Sequence, residues 1–313
     1  PYIESIKNFS VGKRKINNLI KLSFFNQIFL VIFVLLLYFL NLKTAIFMGF
    51  IYFFVSLLTF LYARRIFRFE KFKSDGKYNH REVIKYIKEG FLFGVFKNVA
   101  FQAALIMGAR FIDTTHIAFY TFSISLAAAS VFLIVSALQT LTVPYITKFY
   151  ENNDLVSINK YFNASLKLGI IVSIFISFIL YLFLKLFLKY LFPKYIDAIA
   201  VIPYISIAYI LLNFNISMSF LKSSGKIWIL TKISIVSSLF GLLNSYVLSK
   251  YFNFSGMIFS LIINVSFMSM LSLYYGNKEL KLKFTLFITK EEFKTFKFYS
   301  KLLFSKIFKR LTK

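Results

Sequence analysis

The stretch GFLFGVFKNVAFQAALIMGARFIDTTHIAFYTFSISLAAASVFLIVSALQTLTVPYITKFYENND, residues 90–154, decides the class of this chain. It contains two long apolar runs, with Lys97, Arg110 and Asp113 set where lipid tolerates few charges, and it leaves through a Pro-Tyr step into a polar loop. A charge near a bilayer centre costs about 2.5–3.5 kcal/mol on the insertion scale, so retained charges face a bundle interior or a wet cavity. The stretch therefore predicts a helical membrane protein with a polar interior.

The rest of the chain agrees. Of 313 residues, 58% are hydrophobic and 43 are Phe, well above a soluble average. About 20 apolar residues cross a hydrocarbon core. Runs of that kind lie at 22–42, 44–63, 91–111, 117–143, 168–191, 199–221, 228–249 and 255–275. The expected fold class is an all-α polytopic membrane protein of about eight transmembrane helices.

Charge placement gives an orientation. The net charge of +26 is interleaved with the spans rather than gathered on a soluble domain, which argues against nucleic acid as a partner. Most of the 38 Lys and Arg fall in the N-terminal segment, the 64–90 loop, the connections near 148–167 and 222–226, and the tail after Gly276. The positive-inside rule then puts both termini in the cytoplasm. The spans cross the cell membrane, and the abundance of Phe, Ile, Lys, Tyr and Asn leads us to expect a prokaryote. The chain starts at Pro1, so a missing N-terminal portion is expected.

Cysteine is absent and the two histidines, His80 and His116, are far apart, so no metal site, cofactor or catalytic residue is assigned. The sparse outer acids, Asp113 and Asp197 chief among them, weigh against general acid/base catalysis. Asn213, Asn215, Asn244 and Asn264 fall inside apolar helices, where they can satisfy one another across helix contacts. The tail has Phe284, Phe287, Phe293, Phe296 and Leu303 among lysines, a pattern for a helix on anionic inner-leaflet lipid.

An internal echo links PYIESIKNFSVGKRKINNLIKLSFF at residue 1 with PYITKFYENNDLVSINKYFNASLKL at residue 144. Tandem halves are common in transporters. Across residues 64–276 the order of a basic loop, FIDTTHIAFYTFSISL, PYITKFYENNDL, LFPKYIDAIAVIP and GMIFSLIINVSFMSML resembles the C-terminal half of the Wzx-like polysaccharide flippases of the multidrug/oligosaccharidyl-lipid/polysaccharide exporter superfamily. Asp113, Ala118 and Tyr120, then Pro144, Tyr145, Tyr150 and Asp154, then Phe192, Lys194, Tyr195 and Ala198, stand at that family's motif positions.

The resemblance implies a MATE-like bundle with an incomplete N-terminal lobe: 1–63 as the remnant of that lobe, 64–90 as a cytoplasmic basic loop, 91–276 as a six-helix C-terminal lobe and 277–313 as a basic cytoplasmic tail. It also implies movement of a lipid-linked oligosaccharide between leaflets by alternating access. A pyrophosphate cannot stay unpaired in low dielectric, so Lys97, Arg110 and Lys232 are the candidate cationic lining. Lys97 and Arg110 would stand about 20 Å apart along one helix. Asp113 is read as an ion-pair partner of Arg110 at i and i+3, or else as a coupling residue. Lipid-linked oligosaccharide, anionic lipids and glycan-assembly enzymes are the expected partners. A multidrug exporter of the same fold, a non-transporting assembly subunit and a polyprenyl-phosphate-sugar glycosyltransferase stay open as other readings.

Overall fold

A computed structural model of the chain describes residues 29, 32–33, 54–55, 57–59, 61–62, 80–132, 136, 145–191 and 193–285. The chain divides into two units, Pro1–Glu82 and Val83–Lys313. The regular structure is helical, with no strand among the described residues. In the first unit the ring of Phe33 meets that of Phe54 edge-on at 5.7 Å.

In the second unit the helices are α1 (His80–Gly108), α2 (Thr114–Ala127, continued by a π-turn at Ala128–Phe132), α3 (Leu155–Leu191), α4 (Ala198–Leu211), α5 (Ile216–Ser223) and α6 (Ile227–Leu280). A 3-10 turn, Leu212–Asn215, joins α4 to α5. Among the described residues four helical stretches are long and apolar enough to cross a membrane: Ile84–Gly108, Leu155–Leu188, Ala198–Ser223 and Ile227–Leu280. The expectation of an all-α membrane protein holds at that level. The runs at 22–42 and 44–63 and the end of 117–143 lie largely outside the described residues, as do most of the tail and the Pro144 and Phe192 motif positions.

The 54-residue α6 is two helices folded back on one another. Asn253 breaks it with φ 50° and ψ −131°. Asn244 and Asn264 then hydrogen-bond at 2.9 Å, whereas twenty residues of straight helix would hold them about 30 Å apart. We call the arms α6a (227–252) and α6b (254–280). Gly256 makes the tight return possible: a Cβ there would stand 2.0 Å from the carbonyl oxygen of Leu248.

The remaining contacts fix an up-and-down order. Thr231 Oγ1 donates to the Glu89 carbonyl, a Cβ on Gly241 would meet Ala103, and Phe111 meets Tyr246. α1 and α6a therefore run parallel and side by side. One end of the bundle carries the turns around Asp113, Pro193–Asp197 and Asn253, linked through His116–Phe254 and Phe119–Tyr195 ring contacts. The other carries the turns around Asn153 and Gly225 and the exit of α6b, linked by a 2.7 Å ion pair between Lys226 and Glu279.

Packing has the polarity of a membrane bundle. Ser234, Ser237, Ser238, Ser245 and Ser249 on α6a are buried, as are Ser260, Asn264, Ser269 and Ser272 on α6b. The exposed faces are apolar, as with Ile174, Phe175, Phe178, Leu182 and Leu186 along α3. Small and polar residues inside with large apolar ones outside is the arrangement that lipid favours and water does not.

The boundaries differ from the expected ones at both ends of the lobe. α1 begins at His80, so the second half of the stretch assigned to the 64–90 loop, where Val83, Ile84 and Ile87 recur at helical spacing, is the start of the helix. Residues 277–285, assigned to the tail, belong to the bundle: Leu280 and Leu282 are buried in its core.

Candidate functional site

Three of the sequence-selected residues lie at different levels of α1, the turn after it and α6a. Lys232 is exposed one residue past Thr231, with its Nζ 5.4 Å from the centroid of the Trp228 ring one turn earlier. Lys97 is half-buried in α1, 5.7 Å over Phe93. Since Thr231 is level with Glu89, Lys97 stands roughly 10 Å further along the bundle than Lys232. Cations held over aromatic faces keep their charge while their stems cover apolar surface.

Arg110 is exposed at the Asp113 end, and here the structure corrects the reading. Lys97 and Arg110 do not share a helix, because α1 stops at Gly108. The Gly108 carbonyl accepts from both Phe111 and Ile112 N–H, which closes the turn that holds Arg110. Lys250 reaches the same end over Tyr246 and Tyr251, at 5.9 and 5.7 Å. The three candidates are thus not gathered into one pocket. They form a graded series, with Lys232 near one end, Lys97 between and Arg110 at the other.

Asp113 is not the partner of Arg110. Its extended backbone ends the turn and its side chain caps α2, accepting the His116 N–H at 2.9 Å. The other oxygen takes His116 Nδ1 at 2.5 Å, so with an ionised carboxylate that nitrogen carries the proton. The i, i+3 argument fails because no helix runs through both Arg110 and Asp113. The Asp-Thr-Thr-His spacing is instead an N-cap signal that was available in the sequence. The backbone bond from His116, with the imidazole second, holds the Asp113 carboxyl below the usual carboxylate range. Asp154, a motif residue, does the same for α3: Ser157 donates to it and lowers its pKa in the same way.

The intrahelical asparagines bond across helices as expected. Asn213 donates to Ser173 at 3.0 Å, Asn264 to Ser245 at 3.0 Å, and Ser272 to Asn215 at 3.2 Å. Two further groups were missed: the Lys226–Glu279 pair, and the row Asn159, Asn163 and Lys167 on α3. The latter was visible as Asn-x3-Asn-x3-Lys, one helix face at i, i+4 and i+8. Among the described residues no cluster of three or more His, Asp or Glu is placed to hold a metal ion.

No family model matches the chain, and neither does any curated protein or solved structure.

Proposed function

We propose that the protein is a transporter rather than an enzyme, and that it moves a lipid-linked, polyprenyl-pyrophosphate oligosaccharide across the prokaryotic cell membrane by alternating access, with both termini cytoplasmic. The observation that carries this reading is the series of cations Lys232, Lys97 and Arg110 at successive levels of a bundle whose exposed faces are otherwise apolar. An anionic head group crossing low dielectric needs a charge-assisted partner at each stage, and a graded row supplies one. A series of three cations favours an anion over an organic cation as cargo. The resemblance to the Wzx-like flippases, carried by Asp113, Tyr120, Tyr145 and Asp154, points the same way.

The test is complementation of a prokaryotic strain lacking its own glycan flippase, by the full-length parent gene, at matched membrane expression. Restored surface glycan that falls in Lys97→Ala and Lys232→Ala supports the reading. Restoration untouched by either substitution rejects the cationic row as the path of the cargo.

A further inference from the structure

After α6b the chain does not continue as a helix. Lys281 adopts φ 53°, a left-handed conformation that costs about 1–2 kcal/mol for a residue with a Cβ, and turns the chain back along α3. Residues 281–285 then run extended beside Asn159, Asn163 and Lys167. Asn159 donates to the Lys281 carbonyl at 3.2 Å and accepts the Lys283 N–H at 2.7 Å. One helical turn on, Asn163 donates to the Lys283 carbonyl at 2.7 Å and accepts the Thr285 N–H at 2.8 Å. Lys167, buried one turn further, donates to the Thr285 hydroxyl at 3.0 Å, and that hydroxyl donates to Asn163 at 3.1 Å.

The spacings explain the match. Four residues of helix rise about 6.0 Å, and two residues of extended chain rise about 6.6 Å. A carboxamide presents one acceptor and one donor edge, as a peptide group does. Two asparagines at i and i+4 therefore imitate the edge of a β-strand, and they read mainly backbone, with the Thr285 hydroxyl the one side chain of the segment that the row engages. Selectivity comes from the segment's other face, where Leu282 is buried against Gly276 and Phe284 meets Phe214 edge-on at 5.9 Å.

We propose that Asn159, Asn163 and Lys167 form a strand-docking site on α3 for an extended peptide, and that its ligand is this chain's own segment 281–285, held as a strap that ties α3 to α6b. The inference is independent of the transported cargo. Outside a helix the segment's backbone groups have no internal partners, and this row provides the partners that a helix would otherwise supply.

None of these 313 residues is cysteine, so thiol cross-linking of this chain is free of background. In Phe214→Cys/Phe284→Cys a short bismaleimide should join the two positions within one chain. Adding Asn159→Ala and Asn163→Ala should slow that reaction at least about tenfold, the loss expected from five hydrogen bonds even if most are weak. Lys283→Pro leaves α3 untouched and removes one N–H from the row, so it should slow the reaction in a chain whose helices are intact. An unchanged rate in both would overturn the docking site. A cross-linked dimer on mixing the two single-cysteine proteins would overturn the assignment of the chain's own segment as ligand.

Discussion

The carboxamide of Asn264 sits between two residues of the opposite arm of α6, accepting from Asn244 at 2.9 Å and donating to Ser245 at 3.0 Å. It is buried, and Gly241 lies against it, where a Cβ would stand 3.3 Å from Nδ2. Asn264→Ala removes these two bonds and a third, longer one from Nδ2 to the Gly241 carbonyl at 3.4 Å, and leaves their partners facing a void. A loss of about 1–2 kcal/mol is expected, above the membrane average of about 0.6 for one such bond because the site is buried and bonded more than once. Thermal unfolding in detergent should show it, with Asn244→Ala losing less because Asn264 keeps Ser245.

Glycines divide by what faces them. A methyl group on Gly256 would stand 2.0 Å from the Leu248 carbonyl oxygen, a backbone atom that cannot rotate away. Gly256→Ala should therefore splay the two arms of α6 and abolish recovery of folded protein in size-exclusion chromatography. Gly94 has nothing within 4 Å of a new Cβ. Gly94→Ala should be tolerated and raise stability by about 0.5–1 kcal/mol, the ordinary gain from glycine to alanine in a helix.

These contrasts also mark what the sequence could and could not disclose. Hydropathy located the helices around 91–108, 168–191, 199–221 and both arms of α6, because a span needs a long apolar run whatever it packs against. The intrahelical asparagines were legible as cross-helix partners for the same reason: lipid offers no other. Helix ends were less so. α3 starts at Leu155, thirteen residues before its apolar run, since Asn159, Asn163 and Lys167 are engaged by residues more than a hundred positions away. Arg110 looked like a helical residue because the apolar pattern runs through Gly108 without a break. The turn is made by Gly108 and by the Asp113 cap, local hydrogen bonding that hydropathy does not register.

The Asp113 cap predicts a pH dependence with a definite sign. Its carboxyl is held below the usual range by bonds that the unfolded chain lacks. The stability it contributes is complete above the unfolded pKa, about 4, and is lost as pH falls through the lower folded value. Wild type should lose more stability than Asp113→Asn over that acidic window, because the carboxamide keeps an acceptor for the His116 N–H but has no proton to take up. Unfolding midpoints of the two proteins across the window, from about pH 5 downward, should diverge. Parallel curves would assign no role to the carboxylate.

The pair at the other end calls for a different experiment. Lys226 Nζ reaches both the Glu279 carboxylate, at 2.7 Å, and the Glu279 backbone carbonyl, at 3.0 Å, joining the first turn of α6a to the last turn of α6b. The two contacts are separable. Glu279→Gln keeps an acceptor and leaves the carbonyl bond in place, so its melting temperature should fall only slightly. Lys226→Glu puts like charges together and takes the donor from the carbonyl, so it should be the most damaging single change. In Lys226→Glu/Glu279→Lys the charge pair is rebuilt in reverse, but residue 226 can no longer donate to the carbonyl. Its melting temperature should lie between those of Lys226→Glu and wild type, and a full return to wild type would mean that the carbonyl bond does not help to hold the ends of α6 together.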